Sequence, residues 1–309
     1  MKAFFMKFSS WGKRKIRILL VLAKKITLPG FDGQSLHTVG LLFLQGLSKG
    51  YIADRAASVA FNFFTALFPL LLMVFTLIPY IPIDNFQNDI LQNLESIIPL
   101  EIWSILEGTI TYIITRKSAG LLSIGFIFSL LFATGGISSL FSAFNQTYHS
   151  YTTAANFLKQ RWYALIILLA TIFIIGVLIT ILSFGNKFIV FLLQDSPNAF
   201  GFVYYLFQSI RVILASLVVV FAIALIYYFA LPKPRVFNLF SPGSILCSLL
   251  MIITTLGFSF FISNFSRYNI LYGSLGTILI LTMYLYVNSI FILIGFEINR
   301  SIDVAKRKE

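Results

Sequence analysis

The sequence has 309 residues, of which 58% are hydrophobic and 11% are charged. Ordinary soluble domains hold roughly 45–50% apolar and about 25% charged residues, so this composition excludes a water-soluble fold. The formal net charge of +12 concentrates at the two ends of the chain. It indicates membrane lipids with anionic headgroups as partners rather than nucleic acid, because no segment is polar and long enough to form a soluble basic face.

The first 35 residues are predicted to form a basic segment on the membrane surface. Up to Lys25 the chain carries eight basic residues and no acidic one, with Phe, Trp, Ile and Leu side chains between them. This composition is typical of a helix on an anionic inner leaflet. The apolar stretch 18–23 is too short for a signal peptide, so we expect the segment to be retained. An amphipathic stretch at 36–53 predicts an elbow helix, with plain anchoring as its simplest role.

Six apolar runs are long enough to cross a bilayer as helices, which takes about 20 residues each. In lipid each backbone amide is satisfied within its own helix, so the sequence predicts an all-α polytopic membrane protein with amphipathic interfacial helices. The transmembrane domain is expected at residues 36–299, followed by a basic cytoplasmic tail at 300–309. The predicted spans cover residues 56–80, 119–143, 162–184, 212–231, 242–263 and 275–297.

The Lys and Arg residues fall unevenly on the two sides of these spans. The side that holds both termini carries 18 of them and the other side carries five. Because cytoplasmic loops are enriched in Lys and Arg, the bias predicts an inner-membrane protein with both termini in the cytoplasm. The five cations on the outer side are Arg116, Lys117, Lys187, Arg211 and Arg267.

An acidic insert at residues 82–117 separates the first two spans. Apolar residues recur there at helical spacing before and after Pro99, with five acids between them. The pattern predicts two short amphipathic helices on the outer face. They form a solvated cap in the simplest interpretation, and in the alternative they dock a periplasmic protein or line a substrate entrance.

Motifs of soluble enzymes are missing from the sequence. The two histidines, His37 and His149, are far apart, there is one cysteine, Cys247, and no metal-ligand spacing or nucleophile elbow occurs. We therefore expect no enzyme activity, no metal and no cofactor. Small residues four apart, Gly135 with Ser139 and Gly243 with Cys247, indicate close helix contacts.

Polar residues at membrane depth cost free energy unless they are paired. We predict that Arg55 and Glu297 form a structural ion pair that closes the cytoplasmic end of the bundle. Pro69 interrupts the first span and is expected to kink it, which is typical of cavities, hinges and static bundles alike. The turn before the last span is a candidate functional turn, with a tight turn capped by Ser274 as its plain alternative. The candidate residues for substrate binding or gating are Asn62, Pro69, Asn145, Asn264, Tyr272, Gly273, Ser274, Gly276 and Asn288.

Ordered blocks along the chain resemble the YihY/BrkB family of bacterial inner-membrane proteins, also known under the old label ribonuclease BN. The resemblance covers residues 36–299, and one departure is Tyr284, where many relatives have Trp. The blocks are Arg55-Ala56-Ala57, Ala66-Leu67-Phe68-Pro69-Leu70, Asn145 to Tyr148, Leu231-Pro232-Lys233-Pro234-Arg235-Val236, Asn264 to Asn269, Tyr272-Gly273-Ser274-Leu275-Gly276, Tyr284-Leu285-Tyr286 and Gly295-Phe296-Glu297-Ile298-Asn299.

The resemblance implies a cell-envelope protein, with serum resistance in one branch of the family and suggested roles in moving or handing over lipids. Our leading hypothesis is transport or handling of a lipid or another amphipathic substrate in a groove between helices. The alternative is a non-transporting scaffold that anchors an envelope complex. We set the ribonuclease label aside, because RNA hydrolysis needs a metal or an acid–base pair that faces solvent.

Overall fold

The structure is a computed structural model that describes residues 24–82, 85–97, 100–148, 158–174, 200–230, 239–264 and 274–307. Within these ranges the chain forms helices joined by turns, with an antiparallel bridge between Thr27 and Ser35. The helices are α1 (Leu36–Lys49), α2 (Ile52–Leu77, then a 3₁₀ turn at Ile78–Tyr80), α3 (Phe86–Ile97), α4 (Leu100–Thr115), α5 (Ala119–Asn145), α6 (158–174), α7 (Phe200–Ala230), α8 (Pro242–Asn264) and α9 (Ser274–Arg307).

Five of these helices are long and apolar enough to cross a membrane: α2, α5, α7, α8 and α9. Each contains one of the predicted spans or most of it, so the prediction of an all-α polytopic membrane protein is confirmed. The remaining predicted span, 162–184, is helical up to residue 174 in α6. Its second part lies outside the described residues, so the count of six spans stays a prediction.

The predicted elbow helix is α1, and its ends follow from local chemistry. The Ser35 hydroxyl caps its first turn by accepting a hydrogen bond from the Thr38 amide at 3.2 Å. The helix ends at Gly50, and Tyr51 then takes a left-handed backbone conformation with φ of 48°. This break turns the chain into α2, so α1 packs beside the bundle and does not extend the first span.

Most of the buried core lies near one end of the bundle. This end, called the basic end below, holds the first turns of α2 and α8 and the last turns of α5, α7 and α9. The core includes Val59, Leu140, Phe144, Tyr227, Cys247 and Leu293. In α2 and α5, the halves away from the basic end expose apolar side chains instead, among them Phe68, Leu71, Val74, Ile124, Phe126 and Ile127.

The insert forms two helices, α3 and α4, as the sequence predicts. Trp103, Ile110 and Ile114 of α4 are buried against Ile78 at the end of α2, and apolar residues of α3 pack on the same cluster. The apolar stripes therefore face each other and the end of α2. The acidic residues Glu95 and Glu107 are exposed.

The predicted basic cytoplasmic tail at residues 300–309 is helical up to Arg307, because α9 runs without a break from Ser274 to Arg307, and its cytoplasmic location stays a prediction. Its last turns bury Ile302, Val304 and Ala305 against Phe31 and the apolar face of α1. The segment 24–35 packs on the same surface, and Lys306 pairs with Asp32 at 3.0 Å. These apolar residues continue the helical spacing of the preceding span, so the helix extends beyond it. Residues 1–23 of the predicted surface segment lie outside the described residues.

Candidate functional site

Arg55, Thr147 and Glu297 form a buried polar pocket at the basic end. Arg55 lies in the first turn of α2, Thr147 in the turn after α5, and Glu297 in the last third of α9. The exposed fraction is 6% for Arg55, 6% for Thr147 and 0% for Glu297. Burial at this level is costly for charged groups, so the pocket marks a place where the fold retains charge at the expense of stability.

The Glu297 carboxylate is held from two sides. Its Oε2 atom accepts a hydrogen bond from the Thr147 hydroxyl at 2.5 Å. On the other side it packs against the backbone of α1 at Gly46. A Cβ atom added to Gly46 would lie 2.6 Å from Glu297 Cδ and would collide with Oε1. Oε1 is buried and has no hydrogen-bond partner among the described residues. Glycine at position 46 is therefore what allows α1 to dock over the carboxylate.

Arg55 reaches the same pocket but does not touch Glu297 directly. Its Nη1 atom donates a hydrogen bond to the Ala143 carbonyl oxygen at 2.7 Å, while Nε and Nη2 are buried without a partner in the part of the chain described. No direct salt bridge joins the two described side chains. The structural ion pair of Arg55 and Glu297 stays a prediction.

The same stretch of α9 also joins α7 and α8. The Asn299 Oδ1 atom accepts a hydrogen bond from the Gly243 amide at 2.8 Å, and its Nδ2 atom donates to the Ser241 hydroxyl at 3.0 Å. Gly295 packs on the Gly243 carbonyl and on the Tyr227 hydroxyl, which donates to the Ile292 carbonyl at 2.7 Å. The predicted close contact at Gly243 and Cys247 is therefore confirmed, with α9 as the partner helix.

Phe296, between these polar residues, stacks on Phe144 with ring centroids 4.1 Å apart and meets Tyr227 at 5.9 Å. Neighbouring residues of the block from Gly295 to Asn299 thus contact different helices of the bundle. The block therefore combines small, aromatic, charged and amide side chains, because each of them packs against a different part of the bundle.

Gly46 offers a direct test of the α1 contact. We expect Gly46→Ala to lower the free energy of unfolding by about 1–3 kcal/mol, because the new methyl group overpacks against the Glu297 carboxyl. The measurement is thermal unfolding in detergent, with Gly40→Ala in the same helix as the control. A Cβ at Gly40 meets nothing within 4 Å, so this change is expected to be neutral or mildly stabilising. Equal effects of the two substitutions would show that α1 does not dock on Glu297.

The other predicted polar residues do not join this pocket in one site. The Asn62 side chain donates to the Ser58 carbonyl of its own helix at 2.8 Å. Asn145, the last residue of α5, is half-buried at the basic end. Asn288 is buried in α9, where Nδ2 donates to the Tyr284 carbonyl at 2.8 Å and Oδ1 has no partner among the described residues. Pro69 lies within α2, which is assigned as continuous from Ile52 to Leu77.

The predicted functional turn is only partly described. Tyr272 and Gly273 lie outside the described residues, as does the Leu231 to Val236 block. Asn264 ends α8, Ser274 begins α9 and Gly276 is buried in the first turn of α9. The role of this turn stays a prediction.

A groove of about 440 Å³ lies between α2 and α5, away from the basic end. Met73 and Leu77 form its α2 wall, and Leu122, Ser123, Phe126 and Ile127 form its α5 wall. We refer to it as the α2–α5 groove. Its volume is within the roughly 300–1,000 Å³ of small-molecule sites, and five of its six lining residues are apolar.

Two contacts shape this groove. Gly125 brings α5 close to α2, since a Cβ there would lie 3.5 Å from the Met73 backbone. The Ser129 hydroxyl donates to the Met73 sulfur at 3.1 Å and holds that side chain at the inner end. Leu77, Phe126 and Ile127 keep exposed fractions of 39%, 54% and 61%, so the groove opens sideways, towards the lipid in a membrane.

Sequence reasoning missed Thr147, Gly46 and the groove residues. Thr147 lies in the Asn145 to Tyr148 block, and membership of this block was the sequence signal that could have identified it. The groove residues carry none, because apolar residues in a span are expected everywhere, and the groove arises from which two helix faces meet.

Comparisons with known proteins agree with this architecture. The family model described as virulence factor BrkB matches residues 43–309. The chain is 29% identical to YfkH of Bacillus subtilis, which is named as ribonuclease-like, over 82% of this chain and 91% of that protein. It is 25% identical to a UPF0761 membrane protein of Coxiella burnetii over 90% of this chain and 97% of that protein. A UPF0761 membrane protein of Pseudoalteromonas translucida is 35% identical over 25% of this chain and 26% of that protein. No solved structure matches the chain.

Proposed function

The chain belongs to the virulence factor BrkB family of membrane proteins, and we propose that it binds a membrane phospholipid in the α2–α5 groove and hands that lipid on. The observation that carries the proposal is the groove itself, an open and mainly apolar space between α2 and α5. An acyl chain is the membrane component that matches such a lining.

The shape of the bundle supports a lipid as the occupant. The core packs tightly at the basic end, whereas the halves of α2 and α5 around the groove leave apolar side chains uncovered. Packing at the basic end and the contact of Gly125 with Met73 fix α2 and α5 relative to each other, and the groove is the apolar space on the exposed side of this contact. A lipid can enter this space from the bilayer without crossing water, so binding needs no displacement of the tightly packed end.

The groove supports binding rather than catalysis. Its lining offers one hydroxyl group, that of Ser123, and no ionisable side chain. A general acid or base needs a titratable group within hydrogen-bond reach of the substrate. The ribonuclease-like name of the Bacillus relative therefore receives no support from this site, and our proposal is a protein without enzyme activity.

From the distribution of basic residues we propose that the chain lies in the cytoplasmic membrane, with the basic end and both termini on the cytoplasmic side. The groove then lies in the outer half of the bilayer. A membrane-impermeant amine reagent added to intact cells is expected to reach Lys117 and not Lys306. The reverse pattern would invert the proposed orientation.

Ser123→Trp tests the proposed function by filling the groove. We expect the purified variant to bind phospholipid about tenfold more weakly, because the indole takes the place of buried acyl chain. The measurement counts phospholipids retained per protein after detergent washing and follows transfer of a fluorescent phospholipid between vesicles that contain the protein. Ile124→Trp is the matched control, since Ile124 neighbours Ser123, is 52% exposed and does not line the groove.

Loss of both retention and transfer in Ser123→Trp, with Ile124→Trp unchanged, supports lipid handling. If Ser123→Trp loses lipid retention but the wild type itself transfers no lipid, the bound lipid is structural and the scaffold alternative is supported. Unchanged retention in both variants contradicts the groove as a lipid site.

A further inference from the structure

Arg116 and Lys117 lie at the mouth of the α2–α5 groove. They form the connection between α4 and α5, directly before the helix that carries Leu122, Ser123, Phe126 and Ile127. The Lys117 Nζ atom lies 5.9 Å from the ring centroid of Tyr80, and Tyr80 closes the turn after α2. The lysine thus links the turn after α2 with the start of α5, beyond the ends of the two helix segments that line the groove.

Both cations are available to a ligand. Arg116 and Lys117 are exposed, and no carboxylate within the described ranges forms an ion pair with either of them. Their contacts are with aromatic rings, Lys117 with Tyr80 and Arg116 with Tyr112 at 5.0 Å. A cation over a ring keeps its N–H donors free for a second partner. The nearest acid described on α4 is Glu107, about two turns before the end of that helix.

The start of α5 adds to the positive potential at this mouth. Its first turn contains no acidic residue, and Ser118 caps it by accepting a hydrogen bond from the Leu121 amide at 3.3 Å. The positive end of the helix dipole therefore points towards the same space as the two side chains. Two adjacent cations are also unexpected here, since the sequence predicts only five on the outer side of the spans.

We propose that Arg116 and Lys117 bind the phosphate of an anionic phospholipid whose acyl chain occupies the α2–α5 groove, so that the protein selects anionic over zwitterionic lipids. This inference rests on the proposed function and adds the substrate class. The chemistry is that of a phosphodiester with net negative charge: it accepts charge-assisted hydrogen bonds from Arg and Lys, while its chains fill the apolar groove below. A zwitterionic headgroup brings its own cation to a mouth that is already positive.

The test uses the full-length protein reconstituted with mixtures of phosphatidylglycerol and phosphatidylcholine. We expect the wild type to retain phosphatidylglycerol about tenfold more tightly than phosphatidylcholine. The double variant Arg116→Gln, Lys117→Gln is expected to lose this preference and to keep binding both lipids through the groove. Lys159→Gln, an exposed cation on α6, is the control that removes charge elsewhere. Thermal unfolding of each variant checks that the fold is intact.

The outcomes separate the two proposals. A wild type without preference, or a double variant that keeps it, contradicts the headgroup site and leaves the groove proposal standing. Lipid retention that survives Ser123→Trp contradicts the proposed function itself. Inorganic phosphate is the second probe: if it competes with phosphatidylglycerol at millimolar concentration and still binds the Ser123→Trp variant, the site takes soluble anions and the lipid assignment is wrong.

Discussion

Gly295→Ala is expected to lower the free energy of unfolding by about 3 kcal/mol, because α7, α8 and α9 pack so closely at Gly295 that they leave no space for a methyl group. A Cβ at this position would lie 2.5 Å from the Gly243 carbonyl oxygen and 2.9 Å from Cys247 Cβ, and it would collide with the Tyr227 hydroxyl. The Gly243 oxygen is a backbone atom and the Cys247 Cβ is bonded to the backbone, so these two atoms can move away only if the whole helix α8 shifts. The measurement is the thermal unfolding midpoint in detergent.

Gly257→Ala is the matched control for this substitution. Gly257 lies in α8, is exposed, and has no atom within 4 Å of its ideal Cβ position. Alanine there is expected to be neutral or stabilising by up to ~1 kcal/mol, as in other exposed helix positions. A Gly295→Ala protein as stable as this control would mean that α8 and α9 do not cross at Gly243 and Gly295.

If the predicted ion pair with Arg55 forms, Glu297→Ala is expected to cost about 3–5 kcal/mol of stability, since it leaves the buried Arg55 charge without a counter-charge. It also removes the acceptor of the Thr147 hydroxyl. Unfolding in detergent measures the effect. Asp54→Ala is the control: Asp54 is an exposed carboxylate next to Arg55, and its loss is expected to cost less than about 1 kcal/mol.

A double-mutant cycle with Glu297→Gln and Arg55→Met then tests the electrostatic pairing. Gln retains an acceptor for Thr147, so the cycle isolates the charge. We expect a coupling of at least about 1 kcal/mol, with the double variant less destabilised than the two single effects predict. Additivity within ~0.5 kcal/mol would show that the two charges do not interact, and that the ion-pair prediction is wrong.

The helical architecture was predictable because membrane spans are defined by composition and length. The end of α2 before Pro79, the start of α5 after Arg116 and Lys117, and the start of α8 at Pro242 follow from where charges and prolines stand. The end of α9 did not follow, since its last turns carry the charged residues Arg300, Asp303 and Lys306. These charges led to the prediction of a basic cytoplasmic tail, whereas the apolar residues between them pack on α1.

The sites were predictable only where a polar residue marks them. Arg55 and Glu297 stand out from apolar spans, and the structure brings both into one pocket. Their separate partners, Ala143 and Thr147, did not stand out, because a backbone carbonyl leaves no trace in the sequence. The α2–α5 groove was unpredictable for a different reason: Met73 and Phe126 look like any lipid-facing residues until two helix faces are placed together.

Photocrosslinking is the most direct measurement of whether a phospholipid occupies the groove. A photoreactive amino acid at Ile127, inside the groove, is compared with one at Ile124, outside it and similarly exposed. After irradiation of washed, purified protein, we expect a phospholipid adduct at position 127 and little at position 124, since surface lipids exchange away during washing. Equal yields at the two positions, or no adduct at 127, would contradict lipid binding between α2 and α5.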